Sequence, residues 1–242
     1  MPDTIYVIGD IHGQLEDLQR VLALIDADGG PDAYTVFLGD YVDRGLNSKA
    51  VVQALIDGRS QGRNWHLVRG NHDRYFVRFY DGATAYDPRT RAGLFWLNPL
   101  LGGDKTLLSY GILAEDGWPL EPIHDQARAL VPPSHIDFLR DLPLVHETEH
   151  LICVHAGLQP GVSLSEQTED DLVWIREPFL SHTQPYEKLV VHGHTALEYP
   201  MHAGNRVNLD AGAGYFRPLF AAAFEGTDCW LLTENGRVAL RP

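Results

Sequence analysis

The chain has 242 residues, of which 44% are hydrophobic, so it can bury a sizeable core, and nothing in its composition indicates disorder. Its formal net charge of -14 argues against a nucleic-acid scaffold, although a small anionic substrate could still bind a positive pocket inside an acidic shell. With two cysteines, no basic leader segment and no apolar stretch of transmembrane length, we expect a cytoplasmic protein without a disulfide framework, a signal peptide or a membrane partner.

The N-terminal part of the chain alternates between short apolar runs and amphipathic segments. We predict buried strands over 5–8, 35–38 and 66–69. The first amphipathic segment, 14–27, is predicted to be a helix that stops before Gly29 and Gly30, and a second helix is predicted to start at Asn47 or Ser48 and end near Gly58. This βαβαβ order predicts a parallel sheet, because parallel strands need such crossovers.

Residues 81–142 follow a looser pattern. We predict helices over 89–97, 122–131 and 134–141, and because this stretch lies between parts of one candidate site it could form a cap or a substrate rim. Strand signals return at 151–154 and 189–191, and consecutive antiparallel strands are predicted over 207–209, 219–224, 229–233 and 238–240. No repeat or linker interrupts the chain, so one domain over 1–242 is expected.

Three short motifs each end an apolar run: Gly-Asp-x-His-Gly at 9–13, Gly-Asp-x-Val-Asp-Arg-Gly at 39–45 and Gly-Asn-His-Asp at 70–73. Asp10, Asp40 and Asn71 lie 30 and 31 residues apart, the length of one strand–helix–strand crossover. A parallel sheet would bring these side chains to one edge, at the carboxyl ends of neighbouring strands, where open α/β sheets bind ligands. The motifs therefore predict a metal site.

Further imidazoles join this set, since His12 stands two residues after Asp10, and His155 and His194 each follow a later apolar strand. The candidate metal ligands are Asp10, His12, Asp40, Asn71, His155 and His194. Six donors are too many for one zinc ion but suit two ions that share a carboxylate, and a mixed oxygen and imidazole set without thiolate favours manganese, iron or zinc over magnesium alone. Two ions about 3.5–4 Å apart can stabilise an in-line displacement at phosphorus.

The remaining motif residues fit phosphate chemistry. Arg44 offers a planar fork for phosphate oxygens, and Arg176 is the best candidate for a second phosphate clamp. His72 could protonate the leaving oxygen, and Asp43 could hold the imidazole in its donating form and raise its pKa. Asp73 is expected to cap the helix after Asn71 rather than to bind metal.

Other polar and aromatic residues receive ordinary structural roles. Arg74 and Arg78 are expected on a solvated helix face, 95–97 in the core, and His192 in a structural position. Seven histidines are expected at the surface or in loops: His66, His124, His135, His146, His150, His182 and His202.

On these motifs, together with Val-His-Ala-Gly at 154–157 and Gly-His-Thr at 193–195, the chain resembles the phosphoprotein phosphatase branch of the calcineurin-like metallophosphoesterases. It is similar in particular to bacterial serine/threonine phosphatases and symmetric diadenosine tetraphosphatases. The resemblance implies an α/β fold with two central mixed β-sheets flanked by helices, which spacing alone does not show.

The resemblance also implies how the site is divided. Asp10, His12 and a bridging Asp40 would hold one divalent ion. The ligands of the other would be Asp40, Asn71, His155 and His194. Arg44 and Arg176 would bind phosphate, and Asp43 with His72 would form the acid pair. Manganese is the expected metal by this likeness, with iron or zinc as alternatives.

Some positions depart from the eukaryotic protein phosphatases. Asp73 stands where those enzymes have Glu, Ala156 where they have Gly, and Phe216 and Arg217 where relatives often have a pair of glycines. Asp at the first of these positions also occurs in dinucleotide polyphosphatases. The departures keep the hydrolytic residues and leave the substrate open.

Three hypotheses follow. The first is a metal-dependent phosphomonoesterase resembling serine/threonine protein phosphatases, with a phosphorylated protein or a small phosphate ester as its partner. The second keeps the site and makes the substrate a dinucleotide polyphosphate of the diadenosine tetraphosphate type. The third, from a different class, is a non-catalytic module that binds metal or phosphate, although such a module would normally lack one of the residues that are all present here.

Overall fold

A computed structural model describes residues 4–242, which form two central β-sheets with helices on their outer sides. The strands of the first sheet are β1 (Ile5–Ile8), β2 (Thr35–Phe37), β3 (Trp65–Leu67), β9 (Ala221–Glu225), β10 (Asp228–Thr233) and β11 (Gly236–Leu240). Their order is β11-β10-β9-β1-β2-β3. Strands β1, β2 and β3 are parallel, which confirms the predicted βαβαβ unit, and β9 pairs antiparallel with β1.

The second sheet contains β4 (Val145–Glu147), β5 (Leu151–Val154), β6 (Leu189–His192), β7 (Met201–His202) and β8 (Arg206–Asn208), in the order β4-β5-β6-β8-β7. Strands β5, β6 and β8 are parallel. The prediction that 207–209 belongs to the C-terminal antiparallel run is therefore wrong. The apolar pattern marks the strand but not its sheet, and Val207 pairs with Val191 in the second sheet.

The two sheets pack face to face through a layer of apolar side chains. Because successive side chains of a strand point to opposite faces, Val7 lies in this layer, whereas its neighbours Tyr6 and Ile8 pack on the helical side of the first sheet. From the second sheet, Cys153 and Val191 enter the same layer. Both sheets are therefore covered on two faces, which explains their almost continuous apolar sequences.

The helices are α1 (Leu15–Gly29), α2 (Ser48–Ser60), α3 (Asn71–Gly82), α4 (Gly103–Ser109), α5 (Leu120–Leu130), α6 (Pro133–Arg140) and α7 (Glu169–Trp174). Helices α5 and α6 confirm the predictions over 122–131 and 134–141. Helix α3 packs against both of them, so much of the predicted cap region lies beside the first sheet. Within residues 4–242, no helix is both long and apolar enough to cross a membrane.

The helix predicted over 89–97 does not form, and residues 83–102 are irregular. Gly93 has a left-handed backbone with φ of 79°, which interrupts any helix there. Trp96 and Leu97 are buried as predicted, but Phe95 is 45% exposed. The apolar spacing in this segment thus reflects separate insertions into the core rather than one helical face.

Two polar residues expected at the surface are buried. Arg74 is 4% exposed because its guanidinium forms ion pairs with Asp87 at 2.8 Å and with Asp170 at 2.7 Å. His135 is 1% exposed and is hydrogen-bonded to Tyr110 and Gln53. In both cases a partner distant in sequence satisfies the side chain, which local sequence patterns cannot indicate.

Candidate active site

The first half of the site lies at the carboxyl ends of β1, β2 and β3, as the motif spacing predicts. Asp10, Asp40 and Asn71 follow these strands and are each 1–2% exposed. Glycines allow the close approach, since a Cβ added to Gly70 would lie 2.1 Å from Asp40 Oδ1 and one added to Gly193 would lie 1.9 Å from Asp10 Oδ1. The loops therefore press these carboxylates into a compact, buried cluster.

The second sheet supplies two histidines from the ends of β5 and β6. His155 Nε2 lies 2.9 Å from Asn71 Oδ1 and 3.4 Å from Asp40 Oδ2. His194 Nδ1 lies 2.8 Å from the same Asn71 oxygen. The predicted ligands of the two sheets thus converge on one spot.

Two of the imidazoles are held by backbone carbonyls. His12 Nδ1 lies 2.9 Å from Val42 O, and His155 Nδ1 lies 2.9 Å from Leu38 O. Such a bond from Nδ1–H leaves Nε2 as the free lone pair. In both residues Nε2 points toward Asp40 Oδ2, at 3.6 Å from His12 and 3.4 Å from His155.

Candidate ligand atoms form two groups that share Asp40. His12, Asp40 and His72 have ligand atoms within 4.8 Å of one another, and so do Asp40, His155 and His194. Two ions bridged by one carboxylate would need two adjacent ligand groups with that carboxylate in common. The first group differs from the predicted set of Asp10, His12 and Asp40, because it contains His72 and lacks Asp10. Asp10 borders the cluster, with its Oδ2 accepting a hydrogen bond of 3.0 Å from the His194 backbone.

Two orphaned atoms show that the cluster fits a cation. Asp10 Oδ1 and His194 Nε2 are buried without a hydrogen-bond partner among the described residues. Burial, with the charges of Asp210 and Asp40, raises the pKa of Asp10 well above its usual range, and burial is also the main cause that raises the pKa of Asp40 to about 7. A bound cation would satisfy these lone pairs and favour the charged carboxylates.

Asp210 is a member of this cluster that the motif analysis does not select. It is 3% exposed, and its Oδ1 accepts a hydrogen bond of 2.8 Å from the Gly212 backbone. Its position two residues after β8 repeats the pattern of Asp10 after β1. The same signal, an acid directly after an apolar strand, could have identified it.

His72 and Asp43 form the predicted pair, with His72 Nδ1 2.7 Å from Asp43 Oδ2. The pKa of His72 is lowered overall rather than raised, although Asp43 is not among the groups that lower it. Burial lowers this pKa well below the usual range, and the positive charge of Arg44 adds to the effect. Without a bound anion, the pocket therefore disfavours a second positive charge on His72.

Arg44 lies directly against the imidazoles. Its guanidinium donates through Nη1 to His12 Nε2 at 2.8 Å and through Nη2 to His72 Nε2 at 3.3 Å. The guanidinium also stacks over the ring of Tyr215, 4.8 Å from its centre. Arg44 is therefore placed to meet an anion beside the metal-ligand candidates.

Arg176 follows α7 and is exposed. Desolvation lowers its pKa, and Tyr215, Asp40 and Arg44 all act on it electrostatically. The Trp174 ring, two residues before Arg176, lies 5.7 Å from the His194 ring, and Ile175 packs in the apolar cluster of the second sheet. Arg176 thus follows a segment that borders the same cluster.

Backbone strain is concentrated at the site. Of the seven non-glycine residues with positive φ between 4 and 242, five are His12, Asp40, Asp43, Arg44 and His194. Side chains other than glycine rarely adopt this conformation, and it persists only where the surroundings enforce it. The fold therefore holds an unfavourable backbone conformation at these residues, which directs their side chains into the cluster.

The fold and the site define an α/β protein in which two sheets join to hold buried metal-ligand candidates beside an arginine. The family model for calcineurin-like phosphoesterases matches residues 3–211, so the chain belongs to this family. The two ligand groups that share Asp40 fit its dinuclear, metal-dependent chemistry.

The curated relatives include a dinucleotide tetraphosphatase and a serine/threonine protein phosphatase. The symmetrical bis(5'-nucleosyl)-tetraphosphatase of Coxiella burnetii is 29% identical over 167 residues, which are 68% of this chain and 45% of that protein. The PP2A-like serine/threonine-protein phosphatase PPG1 of Saccharomyces cerevisiae is 29% identical over 228 residues, 86% of this chain and 48% of that protein. The chain thus spans about half the length of the curated relatives that it matches.

Solved structures agree on the fold. A crystal structure described as a candidate diadenosine tetraphosphatase matches with a TM-score of 0.65 and 22% identity. The match covers 95% of this chain and 92% of the chain in that crystal structure. A cold-active protein-tyrosine phosphatase from a psychrophilic Shewanella species has a TM-score of 0.63 and 16% identity, with 100% and 83% coverage. The predicted fold class, two mixed sheets flanked by helices, is confirmed.

Proposed function

We propose that this protein is a metal-dependent phosphoester hydrolase, acting as a phosphomonoesterase of the serine/threonine protein phosphatase type. The observation that carries the proposal is the buried cluster of ligand candidates around Asp40, with Arg44 donating to His12 and with Asp43 bound to His72 beside it. A phosphorylated protein or a small phosphate ester is the proposed substrate class.

The site residues divide between binding and proton transfer. In this proposal Asp10, His12 and Asp40 hold one divalent ion. Asp40, Asn71, His155 and His194 hold the other. When bound, the ions act as Lewis acids on the phosphoryl group and activate its attacking water.

The surrounding side chains would act on the phosphate itself. Arg44 and Arg176 bind the phosphoryl oxygens, because a guanidinium pairs with two of them at once. With a phosphate anion bound beside Arg44, His72 would be protonated at Nε2 and would donate that proton to the leaving oxygen, while Asp43 orients its ring through the 2.7 Å bond to Nδ1.

Manganese is the proposed metal, with iron or zinc as alternatives, because the donor set mixes imidazole with carboxylate and carboxamide oxygens. We also propose a cytoplasmic setting. Cys153 and Cys229 support it, because both are buried free thiols, as expected in a reducing compartment.

The function is tested by removing one ligand at a time. Asp10→Asn and Asn71→Ala should each reduce hydrolysis of 4-nitrophenyl phosphate by at least about 100-fold, since each removes a donor that positions an ion. The exposed His150→Ala, remote from the cluster, is the matched control. Full activity in both variants, at the metal content of the wild type, would refute the proposal, and stoichiometric binding without turnover would support a binding module instead.

A dinucleotide polyphosphate substrate is the second candidate, and an exposed aromatic residue favours it. Phe216 is 76% exposed with φ of 60°, next to the Tyr215 ring that supports Arg44. Such a ring beside the phosphate site could stack on a nucleobase. Comparing turnover of diadenosine tetraphosphate with that of phosphopeptides separates the candidates, and Phe216→Ala should impair only the dinucleotide if the second holds.

We further propose that residues 1–242 act as one domain, with 81–142 contributing the rim of the site. Two contacts support this: Arg44 N donates to Gly102 O at 3.2 Å, and Arg74 binds Asp87.

A further inference from the structure

The carboxylate of Asp43 receives two buried hydrogen bonds from residues far along the chain. Trp96 Nε1 donates to Asp43 Oδ2 at 2.8 Å, and the Thr106 hydroxyl donates to Asp43 Oδ1 at 2.6 Å. Asp43 N donates back to the Thr106 oxygen at 2.7 Å. All three residues are fully buried, so water does not compete for these bonds.

These two donors fix the orientation of the Asp43 carboxylate and so determine how it meets the imidazole of His72. Oδ2 accepts from Trp96 and also faces His72 Nδ1 at 2.7 Å, while Thr106 fixes Oδ1. A carboxylate held at both oxygens cannot rotate away from the ring. The His72 tautomer and orientation are therefore fixed from residues outside the three motifs.

The position of Trp96 is itself determined by the fold. Its indole stacks on Phe76 at 5.7 Å and packs on Phe79 at 5.0 Å, both on α3, whose first turn carries His72. A Cβ added to Gly103 would lie 2.4 Å from the indole, and Gly103 N donates to Trp96 O at 3.0 Å. Glycine at this position is thus needed for the indole to reach Asp43.

We propose that Trp96 and Thr106 are positioning residues that orient the Asp43–His72 pair for proton donation to the leaving group. This inference rests on the proposed function and gives the segment 83–109 a role in the chemistry beyond a rim.

The first test uses two aryl phosphates that differ in leaving-group basicity. Trp96→Phe keeps a buried ring and Thr106→Val keeps the shape, while each removes one donor to Asp43. We expect kcat for phenyl phosphate to fall by about 10-fold, part of the roughly 10²–10⁴-fold that general acids supply, and kcat for 4-nitrophenyl phosphate to fall by less than about 3-fold, since nitrophenolate leaves with little protonation.

Thr106→Ser, which keeps the hydroxyl, should restore the wild-type ratio of the two rates. Trp118→Phe is the matched control, because Trp118 is 45% exposed and lines a separate apolar cavity of about 400 Å³ with Phe95 and Leu97. An equal fall on both substrates, or no fall on either, would overturn the inference.

A second readout does not depend on turnover. In protein labelled with ¹⁵N-histidine and loaded with diamagnetic Zn²⁺, the His72 Nδ1–H signal should be sharp in the wild type and in Thr106→Ser. It should broaden or disappear in Trp96→Phe and Thr106→Val, because a loosened carboxylate no longer holds that proton. If the wild type hydrolyses neither ester, the proposed function fails, yet an unchanged His72 signal in both variants would separately overturn the positioning role.

Discussion

At the scale of single residues, Asp73 shows why a carboxylate in a metal motif need not bind metal. Its Oδ2 accepts hydrogen bonds of 2.9 Å from Gly70 N and Asp40 N, and its Oδ1 accepts one of 2.9 Å from Tyr41 N. The predicted capping role is therefore confirmed, and it extends to the turn that aims Asp40. Because Asp40 has a positive φ of 51°, these bonds help to enforce a strained backbone at the proposed bridging ligand.

We expect Asp73→Asn to lower the free energy of unfolding by about 1–3 kcal/mol, since the Asn side chain would place an NH₂ group, which cannot accept a hydrogen bond, against a backbone N–H. Metal affinity should fall as well, because the Asp40 turn loses an anchor. Urea denaturation and metal titration measure the two effects. Asp73→Glu is the matched control, as it keeps both acceptor oxygens. A variant as stable as the wild type, with unchanged metal binding, would contradict this account.

At the scale of elements, the sequence predicts what depends on local periodicity. Strands β1, β2 and β3 and helices α1 and α2 follow from apolar spacing and glycine stops, and their parallel order brings Asp10, Asp40 and Asn71 to one edge. Residues 83–102 could not be predicted this way. Their structure depends on distant partners, such as Arg74 for Asp87 and Asp43 for Trp96, which no local pattern encodes.

A cluster of three rings joins the edges of the two sheets. Tyr34, just before β2, stacks on His66 of β3 at 4.2 Å, and His66 stacks on His146 of β4 at 4.5 Å. The Tyr34 hydroxyl lies 2.7 Å from His146 Nε2. Both histidines are partly buried rather than freely exposed, and burial, with the charge of His66, lowers the pKa of His146 to about 4.

This shift predicts acid sensitivity. As the pH falls from the ordinary histidine pKa of 6.5 to about 4, His146 takes up a proton in the unfolded chain before it does so in the folded protein. The free energy of unfolding therefore falls across this pH window, and the stability that the neutral ring contributes is lost below it. His146→Phe should flatten the loss, whereas the exposed control His150→Phe should not. Urea denaturation at several pH values measures the slopes, and equal slopes in wild type and His146→Phe would show that this ring is not responsible.

At the scale of the whole molecule, the site exists only where the two sheets meet. The first sheet carries Asp10, Asp40 and Asn71, and the second carries His155 and His194. The apolar layer between the sheets fixes their relation, and each large aliphatic side chain buried there contributes roughly 1.5–3 kcal/mol. Part of that stability opposes the repulsion among Asp10, Asp40 and Asp210, which are crowded at one edge.

Metal binding should therefore stabilise the entire fold. At a free metal concentration about 100-fold above the dissociation constant, the gain is about 2.7 kcal/mol, or roughly 5–10 °C in Tm for a chain of this size. Calorimetry with Mn²⁺ and with EDTA measures the difference. Asp10→Asn should reduce this difference, because an amide binds a divalent ion less well than a carboxylate does. Asp125→Asn, on the exposed face of α5, should keep the full difference. Equal Tm values with Mn²⁺ and with EDTA in the wild type would mean that the carboxylates crowded between the sheets do not bind this ion.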